Sequence, residues 1–134
     1  VALAKDGFYE GLIFHRVISG FMIQGGGFDE SFSQKRAKAI KGEFRSNGFT
    51  GNDIRHTRGV LSMARTSDPD SASSQFFIMH ADAPHLDGAY AAFGRVTEGL
   101  EVIDAVASVK VGNYGYFSDV PVDPVVIESV KITD

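Results

Sequence analysis

The chain has 134 residues, 43% of them hydrophobic and 22% charged, with a formal net charge of -4. That is enough for one compact domain with a core and too few for two; we expect a single domain over residues 1–134. The acidic balance argues against a general nucleic-acid binder, and the lack of cysteine excludes a disulfide framework and a thiolate metal site.

No apolar run reaches the length of a membrane span. The chain opens at Val1 rather than Met, so a missing signal peptide says little. In chain order, "VALAKDG" reads as the last turns of a helix closed by Gly7, since glycine takes the left-handed conformation that ends helices. "LIFHRVI" and "FMIQ" read as strands parted by "SG". The glycine-rich, polar segment from Gly25 to Asn52 has little periodicity and reads as a long surface excursion. "GVLSMAR" and "SQFFIMH" are short apolar runs flanking "TSDPDSAS", a loop by its Asp, Pro and Ser content. "YAAFGRV" is a further strand candidate. "EGLEVIDAVASV" repeats apolar residues at helical spacing (Leu100, Ile103, Val106 or Ala107) and predicts a helix. "VVIESVKI" is rich in β-branched residues and predicts a closing strand. Many short strands and few helices suggest an antiparallel barrel or sandwich with appended helices.

The usual chemical motifs are absent. His80 and His85 have the wrong spacing for the H-E-x-x-H zinc helix, and His15 and His56 lie far off in the chain, so no metal is expected. "DPDSASS" lacks the glycine and terminal glutamate of a calcium loop. No serine sits in G-x-S-x-G. "QGGG" is followed by neither G-x-G-x-x-G nor a P-loop lysine, and its glycines read as a bulge or a close backbone approach.

One pattern is harder to dismiss. In "FHRVISGFMIQGGGF", residues 14–28, a cation precedes an apolar triplet, a glutamine and three glycines. Strand residues alternate faces, so Met22 and Gln24 share a side. In "SSQFFIMH", Gln75 and Phe77 share a side in the same way. Met22, Phe21 and Phe77 would ordinarily be core. Two glutamines beside them point instead to a shallow apolar pocket with a polar rim, as a peptide site has.

These stretches carry a family resemblance. "FHRVISGFMIQGG", "LSMAR", "SQFFI" and "HLDGAYAAFGRV", in that order, resemble the cyclophilins, the peptidyl-prolyl cis-trans isomerases, and most of all their compact bacterial branch. The resemblance spans roughly the whole chain. It implies a mainly β fold, an eight-stranded antiparallel β-barrel capped by two helices, with a peptide groove on its outer surface. It implies a cytoplasmic enzyme that needs no cofactor, binds proline-containing peptides and unfolded chains, and works as a monomer once the barrel is complete. Family members begin with two strands leading into a helix, whereas this chain opens inside that helix. The expectation is therefore a barrel short of two strands, either because the sequence is part of a longer protein, the favoured reading, or because a partner chain supplies them.

Residue by residue, the resemblance implies that Arg16 is the main catalytic group and that Gln24 orients it. Phe21, Met22, Phe77 and Leu86 would line a proline pocket. Ala64 and Arg65 would meet the substrate through backbone groups, Gln75 would line the adjacent groove, and His85 and Tyr90 would form its wall. Three positions depart from the common pattern. His85 stands where many members carry tryptophan, Tyr90 where many carry histidine, and Arg65 where many carry asparagine. Cyclosporin commonly relies on that tryptophan, so cyclosporin-like cyclic peptides are expected to bind weakly. A non-catalytic proline-peptide module is the alternative reading; the set of Arg16, Gln24 and Phe77 favours the enzyme.

Overall fold

In the computed structural model, which describes residues 1–133, short strands dominate. The chain begins with one helical turn, α1 (Ala2–Lys5), and Gly7 follows at φ +71°, where a side chain would be strained. Strands β1 (Arg16–Ile18) and β2 (Met22–Gly25) form a hairpin, then a long irregular excursion runs to β3 (Val60–Met63), β4 (Phe76–Met79) and β5 (Ala92–Arg95). All pair antiparallel in the order β1-β2-β4-β3-β5. Helix α2 (Leu100–Ala107) and a separate hairpin, β6 (Val111–Tyr114) and β7 (Phe117–Pro121), complete the elements. Among the described residues no helix is long and apolar enough to cross a membrane.

Alternation divides the five-stranded sheet into two apolar faces. Val17, Ile23 and Ile78 point to one side and are covered by Ile103 and Ala107 of α2, the helix its i, i+3, i+7 spacing predicts. Met22, Val60, Phe77 and Met79 point to the other, where Leu86 and Ala83 close over them. A polar tie anchors the helix. Asp104 on α2 accepts two hydrogen bonds from Arg58, at 2.6 and 2.9 Å, and lies 3.1 Å from His80 Nε2. The amide of Gly20, in the β1–β2 turn, donates to His80 Nδ1 at 2.8 Å. That bond fixes the tautomer, because a ring nitrogen that accepts cannot carry the proton. The Arg58 guanidinium in turn holds the Asp104 carboxyl below the usual carboxylate range.

The excursion between β2 and β3 is pinned by its own apolar anchors, buried Phe28 and Phe44. Its first glycines are there for close approach. A Cβ on Gly25 would lie 2.6 Å from the carbonyl oxygen of Ile13.

The described strands do not close into a barrel: five form an open sheet and two more form a hairpin, in keeping with the expectation of a barrel short of two strands. Of the two expected capping helices, α1 is a single turn of four residues. One expectation needs correction: "VVIESVKI" is not a strand. Val126 makes one isolated bridge to Ile13, with Gly11 and Phe14 donating to the carbonyls of Ile127 and Val125 and Ile127 donating to that of Leu12. From Glu128 to Thr133 the residues are exposed, and among the described residues their β-branched propensity finds no strand partner.

His15 is buried against Phe28, with its ring centroid 4.8 Å away, and edge-on to Phe32 and Phe117. Its Nδ1 is buried with no hydrogen-bond partner. Burial, aided by the neighbouring Arg16 charge, lowers its pKa from 6.5 to about 4. A histidine depressed in the folded state favours the neutral form there, so its stabilisation is full above pH 6.5 and is lost as pH falls toward 4. The difference amounts to about 3 kcal/mol. We expect denaturant melts to weaken across that window and His15→Phe to flatten the slope.

Candidate functional site

Register builds the site. Arg16 pairs with Gln24 across β1 and β2, Gln24 with Phe77 across β2 and β4, and Phe77 with Ser62 across β4 and β3. Directly opposed residues in antiparallel strands project from the same face. Arg16, Gln24, Phe77 and Ser62 therefore form one row on the face away from α2.

A cavity of about 130 Å³ opens over this row. Drug-sized ligands occupy pockets of roughly 300–1,000 Å³, so this one is scaled to a single small ring. Met22 and Phe77 are its floor, 2% and 5% exposed. They are core and pocket at once, which merges the two readings that the sequence left apart. Phe21, Leu86, Ala64, Arg65 and Tyr90 also line it. Of the expected residues, His85 lies just outside, exposed and stacked on Phe21 at 5.9 Å. Gln75 lies behind the row and bonds to Gln24.

Polar groups sit in fixed positions around this apolar floor. Arg16 Nη1 donates to Gln24 Oε1 at 3.3 Å, and Gln24 Nε2 donates to Gln75 Oε1 at 3.0 Å. The arginine is exposed and lines the cavity. Arg65 is held differently. Its guanidinium is sandwiched between Phe44 and Tyr90, 4.8 and 4.6 Å from the ring centroids. Its N–H groups donate to the carbonyls of Ala89 and Thr66. Stacking of this kind is what a planar, weakly hydrated cation does well. The side chain is thus a clamp on the wall.

Beneath the floor lies a polar network that motif reading did not find. His56 is buried, its ring near-parallel to Phe77 at 6.0 Å and edge-on to Tyr90. Its Nδ1 is 3.1 Å from an Asp87 oxygen and its Nε2 is 2.8 Å from Ser62 Oγ. The carboxylate can only accept, so Nδ1 carries the proton and the Ser62 hydroxyl donates to Nε2. Burial lowers the His56 pKa against the opposing pull of Asp87. The available signal was Ser62 itself: a serine within "VLSM" on a core-facing position needs a buried partner.

The sequence profile of the family described as "Cyclophilin type peptidyl-prolyl cis-trans isomerase/CLD" matches residues 1–132. A peptidyl-prolyl cis-trans isomerase of Acinetobacter baylyi is 49% identical over 96% of this chain and 68% of its own length. Peptidyl-prolyl cis-trans isomerase B of Escherichia coli is 42% identical over 97% of this chain and 81% of its own length. A crystal structure of a Cryptosporidium parvum cyclophilin-type isomerase, in the presence of the dipeptide Ala-Pro, superposes with a TM-score of 0.82 at 30% identity. It covers 99% of this chain and 81% of that one.

Ser62→Ala removes the one donor to His56 Nε2 among the described residues and leaves a buried acceptor unpaired. We expect a loss of about 1–3 kcal/mol in urea denaturation, since the serine position is fully buried.

Proposed function

The chain belongs to the cyclophilin-type peptidyl-prolyl cis-trans isomerase family and is an isomerase of X-Pro peptide bonds; on that premise we propose how its residues divide the work. Arg16 stabilises the twisted amide, Gln24 orients Arg16, and Phe21, Met22, Phe77 and Leu86 hold the prolyl ring. Ala64 and Arg65 meet the substrate chain through their backbone, Gln75 borders the groove, and His85 and Tyr90 wall it. The clients are proline-containing segments of flexible or unfolded chains. One observation carries this reading: a cation braced by Gln24 lines a cavity of about 130 Å³ that has an apolar floor.

The chemistry needs no nucleophile. Amide resonance raises the rotation barrier to ~18–20 kcal/mol, and X-Pro bonds prefer trans only weakly, so both isomers are substrates. Rotation breaks the resonance and localises a lone pair on the prolyl nitrogen. A permanently charged guanidinium directed at that nitrogen binds the twisted state better than either planar state. Only such differential binding speeds the step. About 7 kcal/mol of it corresponds to ~10⁵-fold in rate. Meanwhile the apolar floor holds the ring still while the preceding carbonyl swings. The sandwiched side chain of Arg65 supports a backbone role for that residue.

Arg16→Ala is expected to lose most of the turnover, by exchange NMR on a prolyl peptide, while peptide affinity changes far less. Equal loss of both would favour a recognition module over an enzyme.

His85 bears on cyclic-peptide inhibitors. An imidazole is smaller than an indole, and its donor nitrogen lies closer to the backbone. An acceptor placed for an indole N–H is left short, which costs about 1–3 kcal/mol, or roughly 5–150-fold in affinity. Weak cyclosporin inhibition, strengthened in His85→Trp with turnover little changed, is the expected result of an inhibition assay.

A further inference from the structure

The last glycine of "QGGG" is the one whose purpose the backbone does not explain. Gly26 takes φ +89°, but Gly27 is not among the positive-φ residues, so alanine is conformationally admissible there. What Gly27 supplies is room. It is buried, and a Cβ built on it would lie 2.6 Å from Gln75 Cγ and 2.7 Å from Gln75 Cδ, with Gln75 Nε2 nearer still. All three of the nearest atoms belong to Gln75, so the glutamine lies flat on the bare Cα.

The orientation of Gln75 matters because the chain of hydrogen bonds from Arg16 has one direction. A guanidinium has no acceptor, so Gln24 must turn its oxygen to Arg16. That leaves the Gln24 amide N–H₂ to donate outward, and Gln75 Oε1 receives it at 3.0 Å. If Gln75 moves, Gln24 loses the partner that fixes its rotamer, and Arg16 loses a fixed brace.

We infer that Gly27 is a positioning residue for the isomerisation, its missing side chain being the space in which Gln75 holds Gln24 against Arg16. The inference rests on the proposed role of Arg16. A Cβ at position 27 displaces Gln75 and releases the relay without touching substrate.

The test is a double-mutant cycle on kcat, measured by exchange NMR on a prolyl peptide, with thermal melts and the side-chain amide signals of Gln24 and Gln75 recorded alongside. Gly27→Ala is expected to lower kcat about 3- to 10-fold, the loss of roughly one hydrogen bond, and to shift both amide signals. In the Gln75→Ala background, where the space is vacated, the same substitution is expected to have no further effect. An unchanged kcat in Gly27→Ala overturns the inference, as does a loss that persists undiminished in the Gln75→Ala background. Should Gly27→Ala fail to fold, recovery of the fold in the double variant supports the inference and continued misfolding overturns it. Arg16→Ala serves as the control. If it keeps full turnover, the reading of Arg16 falls and the inference with it; if it loses turnover while Gly27→Ala does not, the inference alone is wrong.

Discussion

Strand register is the constraint from which the site follows. Arg16, Gln24, Phe77 and Ser62 come from four strands and are neighbours only because β1, β2, β4 and β3 pair as they do. Side chains in a strand repeat every two residues, so a slip by one residue would turn the whole set to the opposite face. The two apolar faces resist such a slip. One set of branched side chains is packed under α2 and the other under the loop bearing Leu86, and exchanging them would bring Arg16 and Gln24 under the helix. Packing thus enforces the alignment on which a cation, an amide and an aromatic ring depend.

The polar interior is organised around the same row. Ser62 closes the row on its buried side, and His56 links it to Asp87 at the base of the wall that carries Tyr90. Each of these buried donors and acceptors has a partner, as the low-dielectric surroundings demand. His15 is the exception, one residue from the cation yet pointing away from it among phenylalanines. It is neutral at pH 7, which leaves Arg16 as the sole charge that β1 contributes near the cavity.

Local pattern made much of this legible. Alternation in "FMIQ" and "SQFFIMH" identified which residues share a face, and helical spacing identified α2. The family resemblance named the residues that the cavity gathers. Other features depend on partners far away in the chain. The β6–β7 hairpin is not legible because β6 and the start of β7 are exposed and only the end of β7 is buried, so no alternation marks it. "VVIESVKI" was over-read for the converse reason: its propensity is strong, but an edge to pair with is a tertiary fact. The His56–Ser62–Asp87 network joins residues as far as 31 positions apart, and the close contact at Gly27 depends on a residue in another strand's approach. Neither spacing nor composition records such meetings.

The double duty of Met22 and Phe77 limits how such a protein can diversify. A floor that is also the hydrophobic core is under selection for folding before it is under selection for ligand preference, so drift there is purged whatever its effect on binding. His85, Tyr90 and Arg65 stand outside the buried floor; Tyr90 and Arg65 still pack on the wall, whereas the exposed His85 is the freest of that double selection. New preferences among clients or inhibitors would accumulate at this rim, lineage by lineage, above a floor that stays the same.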